Sequence, residues 1–141
     1  MSYEANKNIL IVDDEPDIIE ILSFHLDSFG WNTYTTTSPI SVLELVKKRE
    51  FFLIITDIAM PEMDGYELIT SLKKENINSK IMLMTGFGYN PRHTLVKINK
   101  ENSYPLIFKP FEFQNGIVRN KVMEVWENYI KTEGKVLAES N

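Results

Sequence analysis

Five short runs rich in apolar or β-branched residues punctuate this chain: Ile9–Val12, Trp31–Thr37, Phe51–Ile55, Lys80–Met84 and Tyr104–Phe108. The segments between them repeat with helical rather than strand period. Ile18, Ile19, Leu22, Leu26 and Phe29 share one such segment, Val42, Leu43, Leu45 and Val46 the next, and Tyr66, Leu68, Ile69 and Leu72 a third. A fourth helix is expected from Pro91 to about Lys100, and a last long one from about Glu112 through Val118, Val122, Val125, Trp126 and Tyr129. Strict βαβα alternation admits few folds, because it calls for a parallel sheet with right-handed crossovers and helices on both faces. The runs at Ile9, Phe51 and Lys80 are almost solidly apolar, as strands buried on both faces must be. The run at Trp31 is half polar, and the run at Tyr104 contains Pro105, which suits an edge strand. The expected fold is therefore α/β: a flavodoxin-like, doubly wound, five-stranded parallel sheet of order 2-1-3-4-5 with five helices.

Local signals punctuate the same elements. Pro16 opens the first helix, where its missing N–H costs nothing, and Gly30 is placed to stop it. Ser38-Pro39 caps and starts the second. Met60-Pro61 and Asp64-Gly65 mark a loop after the third strand. Gly116 falls inside the expected last helix, at a cost of about 1 kcal/mol relative to Ala.

A chain of 141 residues is expected to make one domain, at 9–130, between a loose start at 1–8 and a polar tail or linker stub at 131–141. A net charge of −5 argues against direct nucleic-acid binding, which rests on clustered Lys and Arg. The absence of Cys excludes disulfides, thiolate metal sites and thiol nucleophiles. No apolar run approaches the ~20 residues of a membrane span, and no signal-peptide pattern follows Met1, so a cytoplasmic address is the default expectation.

Chemistry is expected where the strands end, since ligands of open α/β sheets bind outside the carboxyl ends of the strands. There the first strand delivers Asp13 and Asp14, the third Asp57, the fourth Thr85 and the fifth Lys109. Converging carboxylates repel at ~4 kcal/mol per close pair at an effective dielectric near 20. A hard divalent cation offsets that, and Mg²⁺ takes few carboxylates together with phosphate and water. Acids, an ammonium and a hydroxyl around one carboxylate suit phosphoryl transfer with Asp57 as the nucleophile. Glu15 reads as favourable charge at a helix start. His25 and His93 have no metal or triad partner in sequence and read as packing or surface residues.

These residues closely resemble the receiver domain of two-component response regulators, from roughly Asn8 to Tyr129. The resemblance rests on Asp13-Asp14, on Asp57 within Thr-Asp-Ile-Ala-Met-Pro-Glu-Met-Asp-Gly, on Thr85-Gly86 and on Phe108-Lys109-Pro110-Phe111. It implies that Asp57 is the phosphoacceptor. Asp14, Asp57 and the backbone carbonyl of Ala59 would hold Mg²⁺ directly, and Asp13 through water. Thr85 and Lys109 would meet the phosphoryl group. The donor would be a histidine kinase or histidine phosphotransfer protein, and the response a switch of the face built by the fourth helix, fifth strand and fifth helix, with a phosphorylation-dependent homodimer possible. Such a domain is not an enzyme beyond its own phosphorylation and dephosphorylation.

The chain departs from that pattern at Leu106, a switch position usually held by Tyr or Phe. Ala59 and Phe87 occupy positions that tune dephosphorylation, and neither can orient a water, so a long-lived phosphoryl group is expected. Two other readings compete. A Mg²⁺-dependent phosphohydrolase with an aspartyl nucleophile would usually carry a second Asp where Ala59 stands. A flavin-binding module would need a phosphate loop where Asp13-Asp14-Glu15 would repel phosphate.

Overall fold

The structure is a computed structural model that describes residues 6–86, 104–109, 111, 113 and 116–139. Strands β1 (Asn8–Val12), β2 (Asn32–Thr36), β3 (Leu53–Asp57), β4 (Lys80–Thr85) and β5 (Leu106–Phe108) form one sheet in the order β2-β1-β3-β4-β5. All four pairings are parallel. Helices α1 (Pro16–Asp27), α2 (Pro39–Lys48), α3 (Gly65–Lys74) and the C-terminal α4 (Ile117–Glu139) accompany it. The segment expected to form a helix at 91–100 lies outside the described residues, with Phe87 and His93.

Alternation along the strands builds two cores, because successive side chains leave opposite faces. Ile9, Ile11 and Ile55 turn one way and meet Leu22 and Leu26 of α1 and Val122 and Val125 of α4. Leu10, Val12 and Ile54 turn the other way and meet Val42 and Val46 of α2 and Leu68 and Leu72 of α3. The half-polar β2 and the Pro-led β5 occupy the two edges, as their composition requires.

Several element boundaries differ from those expected by a few residues. Phe51 and Phe52 are buried, yet the strand begins at Leu53 and runs through Thr56 to Asp57, which pairs with Met84. Phe29 is exposed, beyond the end of α1, with Gly30 at φ +92 behind it. The last helix starts at Ile117 rather than near Glu112. Gly116 precedes it at φ +66, outside the helical region, so the expected penalty for a helix-interior glycine does not arise.

Candidate functional site

Four strands deliver the residues of the sheet's carboxyl edge. Asp13 follows β1, Asp57 ends β3, Thr85 ends β4 and Lys109 follows β5. Lys109 lies between the first two: its Nζ is 2.5 Å from Asp13 Oδ2 and 3.2 Å from Asp57 Oδ2. Backbone N–H groups hold the other carboxylate oxygens. Glu15 donates to Asp13 Oδ1 at 2.9 Å, and Ala59 to Asp57 Oδ1 at 3.4 Å. Asp14 is exposed beside them. Carboxylate oxygens of Asp13, Asp14 and Asp57 all lie within 4.8 Å of one another.

Burial decides the electrostatics. Asp13 is fully buried and Asp57 nearly so. Desolvation pushes both carboxyls above the usual carboxylate range, against the downward pull of Lys109. Burial also works against the Lys109 ammonium, but its bond to Asp13 and the charge of Asp57 together outweigh it and hold that group above the ordinary lysine range. Two buried acids thus share one ammonium, with Asp14 close beside them, and ionised Asp57 is held at a cost. An all-oxygen set with Asp14 open to solvent can hold a hard metal ion, which would lower that cost.

Thr85 ends β4 at the same edge of the sheet. It is buried, and its carbonyl accepts the Lys109 backbone N–H at 2.8 Å. Its Oγ1 has no hydrogen-bond partner among the described residues. A buried hydroxyl without a partner forfeits hydrogen-bond energy that an incoming acceptor oxygen would restore. Leu106 is half-buried and packs against Ile58, Ile69 and Leu83. The structure thus gathers Asp13, Asp14, Asp57 and Lys109, places Thr85 beside Lys109 through the main chain, and leaves Ala59 exposed at the loop's start. His25 stacks on Phe113, with ring centroids 4.0 Å apart, in keeping with a packing role.

Gly65 was legible only as a loop marker, and the structure gives it a sharper task. Its N–H donates to the Ile58 carbonyl at 2.7 Å, bringing the start of α3 against the Asp57 main chain. A Cβ there would meet the Asp57 carbonyl oxygen at 2.6 Å. Asp64 caps the helix by accepting the Glu67 N–H at 2.8 Å. An Asp-Gly pair directly before a helical apolar period was the available signal.

Comparison with known proteins agrees with this geometry. Residues 9–120 match the family model described as response regulator receiver domain. The response regulator receiver protein CpdR of Brucella abortus is 31% identical over 113 residues, covering 77% of this chain and 89% of that protein. The transcriptional regulatory protein ZraR of Escherichia coli O157:H7 is 33% identical over 110 residues, 78% of this chain. The chain spans about a quarter of that relative's length (24%). The crystal structure of the Vibrio cholerae chemotaxis protein CheY4 shares the fold at TM-score 0.73 and 22% identity, covering 86% of this chain and 99% of that one. This chain belongs to the response regulator receiver domain family.

Proposed function

We propose that this chain is a phosphorylation-controlled signalling module in which Asp57 accepts a phosphoryl group from a histidine kinase or histidine phosphotransfer protein. The observation that carries the reading is the Lys109 ammonium held between Asp13 and Asp57 at the carboxyl edge of the sheet. An Asp57 carboxylate oxygen attacks phosphorus, the bond to the donor's imidazole nitrogen breaks, and the aspartyl phosphate keeps the phosphoryl group. Lys109 stays within reach of the developing charge. Thr85 offers its unpartnered Oγ1 as a donor to a phosphoryl oxygen. Asp13, Asp14, Asp57 and the Ala59 carbonyl would hold Mg²⁺, which when bound supplies positive charge against the phosphoryl oxygens. The added charge of about −1.5 to −2 then draws on Thr85 and Lys109, biasing the surface formed by β5 and α4 toward an output state.

Acetyl phosphate with Mg²⁺ supplies the test. Intact-mass spectrometry should show the gain of one phosphoryl unit in wild type and none in Asp57→Asn. Repeated turnover of an aryl phosphate would instead favour the phosphohydrolase.

A further inference from the structure

β5 is the short edge strand that leads into Lys109, and its outer side is where a tie to the rest of the fold is needed. Pro105 accepts the Leu83 N–H at 2.8 Å, and the Lys109 N–H donates to Thr85 at 2.8 Å. Odd-numbered residues of this strand therefore turn their main chain toward β4. By alternation, the carbonyl of Leu106 faces the open edge. Water could satisfy it there. Instead, the half-buried ammonium of Lys121, on the second turn of α4, donates to it.

Two features make this bond more than edge repair. Lys121 borders the buried stripe of Val118, Val122 and Val125, so its position follows that of the rigid, core-facing side of α4. Leu106, the residue it holds, packs its side chain against the buried cluster of Ile58, Ile69 and Leu83, of which Ile58 immediately follows Asp57. One residue of β5 thus joins the cluster that includes the neighbour of the carboxylate and is tied to α4. It also lies three positions from the Lys109 ammonium.

We propose that Lys121 is the positioning residue that couples β5, and with it Lys109, to α4, so that a change of charge at Asp57 is felt in α4 through a main-chain tie. The inference deepens the signalling reading and rests on it. With Leu106 in place of an aromatic side chain, the tie gives position 106 a read-out that needs no ring.

The test is a cycle of variants read by hydrogen–deuterium exchange over peptides covering 104–109 and 117–130. Asp57→Asn removes one charge facing Lys109 without any phosphate. Lys121→Met keeps the aliphatic stem and deletes the donor, and Lys121→Arg restores one. In the wild-type background, Asp57→Asn should change exchange in both peptides. In the Lys121→Met background, the response of 117–130 should fall by about threefold or more while that of 104–109 persists, the scale expected of directly coupled residues. Lys121→Arg should recover it. An equal response of 117–130 with or without the ammonium, or none in the wild-type background, overturns the proposal and leaves Lys121 a mere partner for an edge carbonyl. A parallel arm with acetyl phosphate and Mg²⁺ should repeat the pattern. Failure of wild type to take up phosphate would count against the signalling reading alone, because the Asp57→Asn arm needs none.

Discussion

Replacing Asp57 with Asn should make the protein more stable, not less. The carboxylate lies within 4.8 Å of an oxygen of Asp13, and each such pair repels by about 3.5 kcal/mol at an effective dielectric of about 20. Lys109, at 3.2 Å, returns about 5 kcal/mol on the same scale. Desolvation of a buried carboxylate costs several kcal/mol more, and it is the largest influence on Asp57, whose carboxyl is held above the usual range. Asn removes the repulsion and the desolvation while Lys109 keeps its shorter contact to Asp13 at 2.5 Å. Exposed Asp14 also pushes the Asp57 carboxyl up, a repulsion that solvent weakens and that Asn would relieve as well. The net gain is about 1–2 kcal/mol at pH 7, or a rise in Tm of roughly 3–6 °C.

The sign with pH follows from the raised folded value. A protonated Asp57 carries no penalty, so the wild-type fold is favoured below the ordinary carboxylate range and loses that advantage as pH climbs through the folded value. The advantage of Asn should therefore be larger at pH 7 than at pH 4. Urea and thermal melts of both proteins at the two pH values read it directly. Mg²⁺ should reverse the order, adding about 2.7 kcal/mol to wild type at a hundredfold excess over Kd and less to the variant. Destabilisation by Asn at pH 7, or a gain that does not change with pH, would refute the electrostatic reasoning.

Further outcomes follow from single residues. Gly65→Ala should cost about 1–3 kcal/mol in urea melts, because the new methyl meets the Asp57 carbonyl oxygen and main chain cannot step aside cheaply; an unchanged midpoint would contradict the close approach. Thr85→Val removes a buried hydroxyl that has no partner among the described residues, so stability should hold or rise by about 1 kcal/mol. The same variant should still take up phosphate at Asp57 but lose the accompanying change in exchange near β5. With Ala59 unable to orient a water, the phosphorylated protein should keep its label for minutes or longer when purified, and loss within seconds would refute that expectation.

Much of this arrangement was legible in the chain itself, for identifiable reasons. A central parallel strand must be apolar on both faces, so Ile9–Val12 and Ile54–Ile55 announced themselves, and Pro105 and the threonines of β2 assigned the edges. Acids at the end of solidly apolar runs have no packing reason to be there, which marked Asp13 and Asp57. Ends of elements were harder. Buried Phe51 and Phe52 look like strand, and Phe52 does share main-chain hydrogen bonds with Asn8 and Lys80, although the paired register begins at Leu53. Gly116 looked like a weak spot inside a helix, whereas its positive φ makes it the entry to one. Gly65 and Lys121 were missed in their present sense because their tasks depend on atoms remote in sequence, the carbonyls of Asp57 and Leu106. The depth of Asp13 was missed as well. The acidic pair Asp13-Asp14 carries no sign of which member turns inward, and the structure makes Asp13 the fully buried partner of Lys109.

The central claim is that one aspartate, made tolerable by an ammonium and a hard cation, holds the phosphoryl group. Borohydride reduction converts an aspartyl phosphate to homoserine, so treating the acetyl-phosphate-labelled protein and sequencing its peptides by mass spectrometry locates the label. The account predicts homoserine at position 57 and at no other. Homoserine at position 13 or 14, or at none, would contradict it.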